Sequence, residues 1–164
     1  GRQPAGSWLP HPPQFPLHSL RCGAARGRMM GGNLTLIGST LGTPWEIDTL
    51  GAILFIEDVG EPPYKIDRLL TQLRLAGKLQ GLRGVLIGDF SDVSAAGSSQ
   101  EQQDRDAARL ERLWQEFFVP LGVPVMAGWR SGHVDPNLTL PIGALVTLDA
   151  NRQGVRIDQQ LVLL

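Results

Sequence analysis

Residues 51–68 of the chain read GAILFIEDVGEPPYKIDR, which predicts a buried strand, an acidic pair and the start of a helix. Residues 53–56 form a continuous apolar run, which is typical of a strand covered on both faces. The run ends at Glu57 and Asp58, and two prolines follow where the first turn of a helix accepts them. Apolar residues then recur at helical spacing as far as Gly77, which is placed to end the helix. Because ligands bind at the carboxyl ends of strands in open α/β sheets, the acidic pair is the first candidate for a functional site.

The composition indicates one globular domain without an extreme charge. The chain has 164 residues, which is enough for one domain with its own core. Charged residues make up 19% of it and the formal net charge is -1, so neither nucleic acid nor a charged membrane surface is expected as a partner. Cys22 is the only cysteine, which excludes an intrachain disulfide and suits a reducing compartment. The apolar runs are shorter than a membrane span and no signal-peptide pattern is visible, so we expect a soluble, cytoplasmic protein.

The first sixteen residues differ from the rest of the chain. Residues 1–16 contain five prolines and no apolar periodicity, which predicts a linker or a tail. Apolar segments with regular spacing begin at residue 17. We therefore expect one folded domain over residues 17–164, with a further domain upstream of the linker.

The remaining segments predict the fold class. A helix is predicted over residues 101–118, where apolar and aromatic residues recur at helical spacing. Residues 23–27 predict a turn and residues 128–143 predict a long polar loop. Predicted strands lie at residues 17–22, 34–37, 84–88, 123–126, 144–149 and 155–164. Strands and helices that alternate before a strand-rich end indicate an α/β domain with a mixed sheet or a small barrel-like element.

Two further features leave alternatives open. Trp45 lies in a predicted loop over residues 41–49, where its indole either faces a cleft or fills the core. Gly31 and Gly32 permit positive φ angles or a close backbone contact. The lysine and the spacing of a phosphate-binding loop are missing here, so these glycines indicate an ordinary turn.

One of the three histidines is a candidate for chemistry. His11 and His18 lie in or just after the proline-rich start, where we expect solvated or incidental placement. His133 lies in the long polar loop, and Asp135 and Asn137 follow it closely. Loops on a rigid scaffold carry many functional groups, and imidazole is the usual acid–base group near neutral pH. A structural and a catalytic role for His133 both stay open on these residues alone.

The sequence offers an acid and a base but no convincing nucleophile. Cys22 has no activating neighbour, and no Gly-x-Ser-x-Gly elbow occurs. Ser91 follows a predicted strand and Ser131 lies two residues from His133, yet neither spacing defines a triad. Metal-ligand pairs such as His-x-x-x-His or Cys-x-x-Cys are also missing, so neither a metal nor another cofactor is predicted. This pattern indicates a domain that contributes half of an active site.

Four blocks of sequence occur in a fixed order, namely GGNLTLIGSTLGTP at 31–44, ILFIEDVGEPPYKIDRLLTQLRLAGKL at 53–79, GVLIGDF at 84–90 and GHVDPNLTLPIGA at 132–144. Together they resemble the C-terminal domain of the LD-carboxypeptidases, serine peptidases that include the microcin-C self-immunity enzymes. The resemblance covers about residues 17–164 and is more specific than any single motif.

The resemblance implies two domains and a Ser–His–Glu triad assembled between them. The C-terminal domain would be of the swivelling β/β/α type, with the family's glutamate at Glu57 and its histidine at His133. The serine and the oxyanion hole would lie in an upstream N-terminal domain, so we expect the chain alone to be inactive. Asp58 is the alternative orienting acid. Only one of the two acids can serve, because adjacent side chains of a strand face opposite ways.

The resemblance also implies a reaction. The terminal D-alanine would be released from a muropeptide tetrapeptide during recycling of cell-wall peptides in the bacterial cytoplasm. An acyl-nucleotide conjugate, as in the microcin-immunity branch, is the alternative substrate, and a non-catalytic muropeptide-binding module is the alternative function. A homodimer is a further expectation that the resemblance allows.

Overall fold

A computed structural model describes residues 2–162 and shows three α-helices and nine strands in that part of the chain. The strands are β1 Arg2–Gln3, β2 His18–Arg21, β3 Ala24–Asn33, β4 Ala52–Val59, β5 Gly84–Ser91, β6 Val125–Ala127, β7 Leu145–Asp149, β8 Gly154–Ile157 and β9 Leu161–Val162. The helices are α1 Leu34–Thr40, α2 Pro63–Leu75 and α3 Gln100–Phe117, and a short 3-10 turn spans Val119–Leu121.

Seven of the strands form one mixed sheet in the order β2-β6-β5-β4-β3-β7-β8, which curls into a half-barrel. The four central strands β3, β4, β5 and β6 run parallel to one another, so their carboxyl ends meet at one edge. β2 and the β7–β8 hairpin flank them in antiparallel orientation. The predicted α/β fold with a mixed sheet is confirmed.

Apolar side chains on the two faces of β4 enter two separate core clusters. Leu54 and Ile56 pack under the helices, together with apolar residues of α1, α2 and α3. Ile53 and Phe55 point to the opposite face and pack with residues of β3, β5, β6 and β7. The strand is therefore buried on both faces, as its unbroken apolar run predicts.

The prediction of a strand over residues 34–37 is wrong, because these residues begin helix α1. Asn33 is the N-cap of this helix, and its side-chain oxygen accepts a hydrogen bond from Leu36 N at 3.0 Å. Leu34 and Ile37 are buried at helical spacing, but a four-residue segment with three apolar residues does not distinguish a helix from a strand.

The prediction of a turn over residues 23–27 is also wrong, because strand β3 begins at Ala24. Its small residues let backbones approach closely. A Cβ atom added to Gly27 would lie 2.6 Å from the carbonyl oxygen of Gly51. The glycine therefore fits a packed strand here, although glycine more often marks a turn.

Part of the segment predicted as a linker or tail lies against the domain. Gly6 N donates to Ile157 O at 2.7 Å, and Leu9 N donates to Val155 O at 2.8 Å. Residues 6–9 therefore run along the outer strand β8, and the role of the segment as a linker stays a prediction. No helix within residues 2–162 has the length and apolar character needed to cross a membrane.

Candidate active site

The carboxyl end of β4 carries two buried acids with different surroundings. Glu57 is 5% exposed and Asp58 is 3% exposed. Successive side chains of a strand point to opposite faces, so the two carboxylates cannot share one role. The two carboxylates also have different hydrogen-bond partners.

Asp58 stabilises the start of helix α1. Its Oδ2 accepts hydrogen bonds from Thr35 N at 2.9 Å and Thr35 Oγ1 at 2.8 Å. Its Oδ1 accepts from Asn33 Nδ2 and from Val59 N, both at 2.9 Å. Both oxygens of this carboxylate are therefore occupied in joining β4 to α1.

We expect Asp58→Asn to destabilise the fold by about 2 to 3 kcal/mol, because the amide has one acceptor oxygen where four half-buried donors need two. Urea unfolding would measure the loss. Glu116→Gln, on the exposed face of α3, is the control and should change stability by less than about 0.5 kcal/mol. Equal stability of the two variants would contradict the structural role of Asp58.

Glu57 contacts His133, which lies 76 residues further along the chain. Glu57 Oε2 lies 2.9 Å from His133 Nδ1. The carboxylate is buried, whereas the histidine side chain is 55% exposed. Within residues 2–162, Nε2 of His133 forms no hydrogen bond. The imidazole of His133 therefore lies at the carboxyl edge of the sheet, with Nδ1 held by Glu57 and Nε2 available to another group.

The close approach of the two side chains depends on Gly132. Its φ angle is +130°, and an added Cβ would lie 2.7 Å from Glu57 Oε2. Any side chain at this position would push into the carboxylate that contacts His133. The sequence marks Gly132 as part of a polar loop and as the first residue of the fourth block, but its close approach to Glu57 could not be predicted without the structure.

Hydrogen bonds hold the loop that carries His133. Gly132 N donates to Asn137 Oδ1 at 3.2 Å, and Leu138 N donates to Arg130 O at 2.7 Å. The hydroxyl of Ser131 donates to Leu138 O. The two ends of the loop are therefore joined beneath the histidine.

The buried carboxylate raises the pKa of His133 above its ordinary value of 6.5. The hydrogen bond from the ring to Glu57 is the largest cause, followed by the negative charge of Glu57 and a smaller contribution from Asp58. Because the pKa is higher in the folded state, protonated His133 adds stability below pH 6.5. This contribution is lost as the pH rises through the folded-state pKa.

We expect His133 to titrate above 6.5 in the chain, and Glu57→Gln to lower its pKa because the hydrogen bond then lacks a charged acceptor. NMR titration of the ring protons would measure both values. Asp58→Asn is the matched control and should lower the pKa less, since Asp58 acts only through its charge. An unchanged titration in Glu57→Gln would show that the contact does not form in solution.

Comparison with known proteins identifies the family. The family model described as LD-carboxypeptidase C-terminal domain matches residues 26–148. The chain belongs to the LD-carboxypeptidase family. The fourth sequence block of this family domain contains His133 and the second contains Glu57.

Two bacterial relatives show how much of an LD-carboxypeptidase the chain represents. The probable murein peptide carboxypeptidase of Bacillus subtilis is 41% identical over 143 residues, which are 87% of this chain and 43% of the relative. The structure of a muramoyltetrapeptide carboxypeptidase from Oxalobacter formigenes matches with a TM-score of 0.68 and 32% identity, over 87% of this chain and 46% of that one. The chain thus spans less than half the length of these relatives.

A second branch of the LD-carboxypeptidase family is also similar. The Escherichia coli microcin C7 self-immunity protein MccF is 29% identical over 139 residues, which are 84% of this chain and 38% of the relative. A structure of MccF in its wild-type apo state matches with a TM-score of 0.72 and 26% identity, over 91% of this chain and 42% of that one. Fold similarity alone therefore does not separate the two branches.

The other candidate residues of this family member lie outside the Glu57–His133 contact. Cys22 is exposed. Ser91 ends strand β5 and its hydroxyl is buried, while Ser131 is 4% exposed with its hydroxyl committed to a carbonyl group. Trp45 is 84% exposed, so it does not fill the core. Within residues 2–162, no group of three or more His, Cys, Asp or Glu side chains could hold a metal ion.

His11 is placed differently from the prediction. The sequence indicates a solvated or incidental histidine, but the ring of His11 lies 4.9 Å from the ring of Trp129, and its Nε2 is buried. Burial lowers the pKa of His11. Its contact with the base of the His133 loop could not be read from a proline-rich segment.

Proposed function

We propose that the chain supplies the histidine and the glutamate of a Ser–His–Glu triad in an LD-carboxypeptidase. The enzyme would release the terminal D-alanine from muropeptide tetrapeptides. The observation that carries the proposal is the 2.9 Å contact between a buried carboxylate and a half-exposed imidazole at the carboxyl edge of the sheet. Family membership supplies the reaction class.

The geometry suits the two roles. When the Nδ1–H group of His133 donates a hydrogen bond to Glu57, the Nε2 atom is unprotonated and can accept the proton of a serine hydroxyl. The imidazolium that forms would be stabilised by the buried carboxylate and would then protonate the leaving amine of D-alanine. Glu57 fixes the tautomer and the orientation of the ring and does not itself become protonated.

In this proposal the attacking serine lies on a different domain. Ser131 donates its hydroxyl to a backbone carbonyl and is buried, which leaves it poorly placed for attack. The murein and muramoyltetrapeptide relatives are more than twice as long as the part that this chain matches, which leaves room for an N-terminal domain that bears a serine. The chain on its own is accordingly expected to be inactive.

Similarity to the murein peptide branch favours a muropeptide over an acyl-nucleotide conjugate. Identity to the Bacillus subtilis relative is 41%, against 29% for MccF. A muropeptide substrate is consistent with a role in cell-wall recycling in the bacterial cytoplasm. The microcin-type activity is kept as the second candidate, because a structure of MccF in complex with glutamyl sulfamoyl guanosine shares the fold with a TM-score of 0.72.

A chimera tests the proposal. The N-terminal part of the Bacillus subtilis relative, which lies outside the match, would be fused ahead of residues 1–164. The chimera should release D-alanine from a murein tetrapeptide faster than it cleaves an acyl-sulfamoyl nucleotide, and the chain alone should release none. A folded chimera that binds the tetrapeptide without cleaving it would favour a non-catalytic binding module. Size-exclusion chromatography of the same samples would show whether the homodimer that the family resemblance allows is formed.

A further inference from the structure

The segment before β2 crosses the base of the loop that carries His133. We define residues 9–16 as the strap. The ring of His11 in the strap lies 4.9 Å from the ring of Trp129. The guanidinium of Arg130 lies over the ring of Phe15 at 4.4 Å from its centroid. Two aromatic contacts therefore join the strap to consecutive residues of the loop.

The backbone of the strap also lies directly against the start of the loop. A Cβ atom on Gly128 would meet Pro16 O at 2.6 Å, so only glycine permits this approach without a shift. Gly128 has a φ angle of +87°, which also favours glycine. Trp129, the next residue, is 1% exposed and thus fixed in the core beneath the strap. The base of the loop is held on one side by the core and on the other by the strap.

Arg130 connects this base to both sides of His133. Its Nη2 donates to Asp135 O at 2.8 Å, which bridges the loop from before the histidine to after it. Its Nη1 lies 3.5 Å from Asp89 Oδ1 at the end of β5. Phe15 covers the same guanidinium. One side chain thus links the strap, the loop and the carboxyl edge of the sheet.

We propose that Phe15 and Arg130 are positioning residues, which keep His133 in contact with Glu57 by fixing the loop between Arg130 and Asp135. A loop free to move would hold the imidazole against the carboxylate for a smaller fraction of the time. The strap would thereby contribute to the active site without touching the substrate. The positional part of this inference stands on the contacts alone, while its consequence for catalysis rests on the proposed function.

The first test is the NMR titration of His133 in the full chain, residues 1–164. Phe15→Ala and Arg130→Met should each lower the pKa of His133 towards 6.5, in the direction that Glu57→Gln does. The charged groups that act on His133 are Glu57 and Asp58, and Arg130 itself is paired with Asp89. Removing a positive charge cannot by itself lower the pKa of a nearby histidine, so a fall in Arg130→Met reports loosening of the loop.

Trp8→Ala provides a matched control in the same part of the chain. Trp8 packs against the guanidinium groups of Arg152 and Arg156, at 5.4 and 5.9 Å, which belong to the β7–β8 hairpin and not to the His133 loop. It should leave the titration of His133 unchanged even where it lowers thermal stability. Phe15→Tyr should restore the wild-type titration, because it keeps an aromatic face under Arg130. If Phe15→Ala unfolds the chain, Phe15→Leu removes the aromatic face with less loss of volume and answers the same question.

The second test uses the chimera, in which Phe15→Ala should lower kcat by about 10- to 100-fold with little change in KM, since misplacing a catalytic group costs rate. An unaltered His133 titration in folded Phe15→Ala and Arg130→Met would overturn the positioning role. An inactive wild-type chimera combined with the expected titrations would overturn the proposed function and leave the positioning role intact.

Discussion

Replacing His133 by alanine should lower kcat/KM of the chimera for a murein tetrapeptide by on the order of 10⁶, the loss that a serine peptidase suffers without its base. Within residues 2–162, the only side-chain nitrogen atom that forms a hydrogen bond with Glu57 is His133 Nδ1. No other side chain among these residues could therefore replace the imidazole. The attacking serine would keep its proton at neutral pH. Release of D-alanine, followed by a coupled amino-acid oxidase assay, would measure the loss.

His18→Ala is the matched control for this variant. His18 is exposed on the edge strand β2 and should be dispensable for activity. Thermal unfolding of both variants would separate a chemical effect from a folding effect, and His133→Ala should fold because the ring is 55% exposed. A folded His133→Ala chimera with activity within about tenfold of the wild type would contradict the assignment of the base.

The sequence predicts β4 and α2 well because local chemistry determines both. The continuous apolar run favours a strand covered on both faces, and Pro62 and Pro63 fix the helix start that follows. The structure begins α2 at Pro63 and ends it at Leu75, near Gly77. Where the intrinsic propensity, the spacing of apolar residues and the helix-breaking residues all favour the same element, the sequence alone predicts that element.

Strand β3 and helix α1 could not be predicted because distant partners decide them. The first half of β3 pairs with β7, more than a hundred residues away, and the second half pairs with β4. Gly31 shows the cause, since a Cβ there would meet Phe55 O at 1.8 Å. Gly31, which the sequence assigns to a turn, is therefore required by the close approach of strand β4.

The sequence proposes the residues of the candidate site but not their geometry. The sequence blocks point to Glu57 and His133, whereas the choice between Glu57 and Asp58 required the hydrogen bonds of Asp58 to Asn33 and Thr35. No periodicity links residues 57 and 133. The strap was missed because a proline-rich segment without apolar spacing gives no sign of what it packs against.

Replacing Glu57 by glutamine should lower kcat/KM of the chimera by on the order of 10⁴, the loss seen when the orienting acid of a serine peptidase becomes an amide. The glutamine side chain can offer an NH₂ group to Nδ1, which favours the tautomer with its proton on Nε2. That nitrogen could then no longer accept the proton of the serine. The loss should appear in kcat more than in KM, because ring orientation matters most in the transition state.

The pH profile separates this effect from a loss of folding. The base works only when neutral, and Glu57 raises the pKa of His133, so the acidic limb of kcat/KM in the wild type should lie above 6.5. In Glu57→Gln the limb should move to lower pH while the plateau falls. Asp58→Asn should instead lower the stability of the fold, while its kcat/KM stays within about tenfold of the wild type and the acidic limb of its pH profile hardly moves. If Asp58→Asn loses as much kcat/KM as Glu57→Gln while it stays folded, Asp58 shares the orienting role despite its four hydrogen bonds to Asn33, Thr35 and Val59.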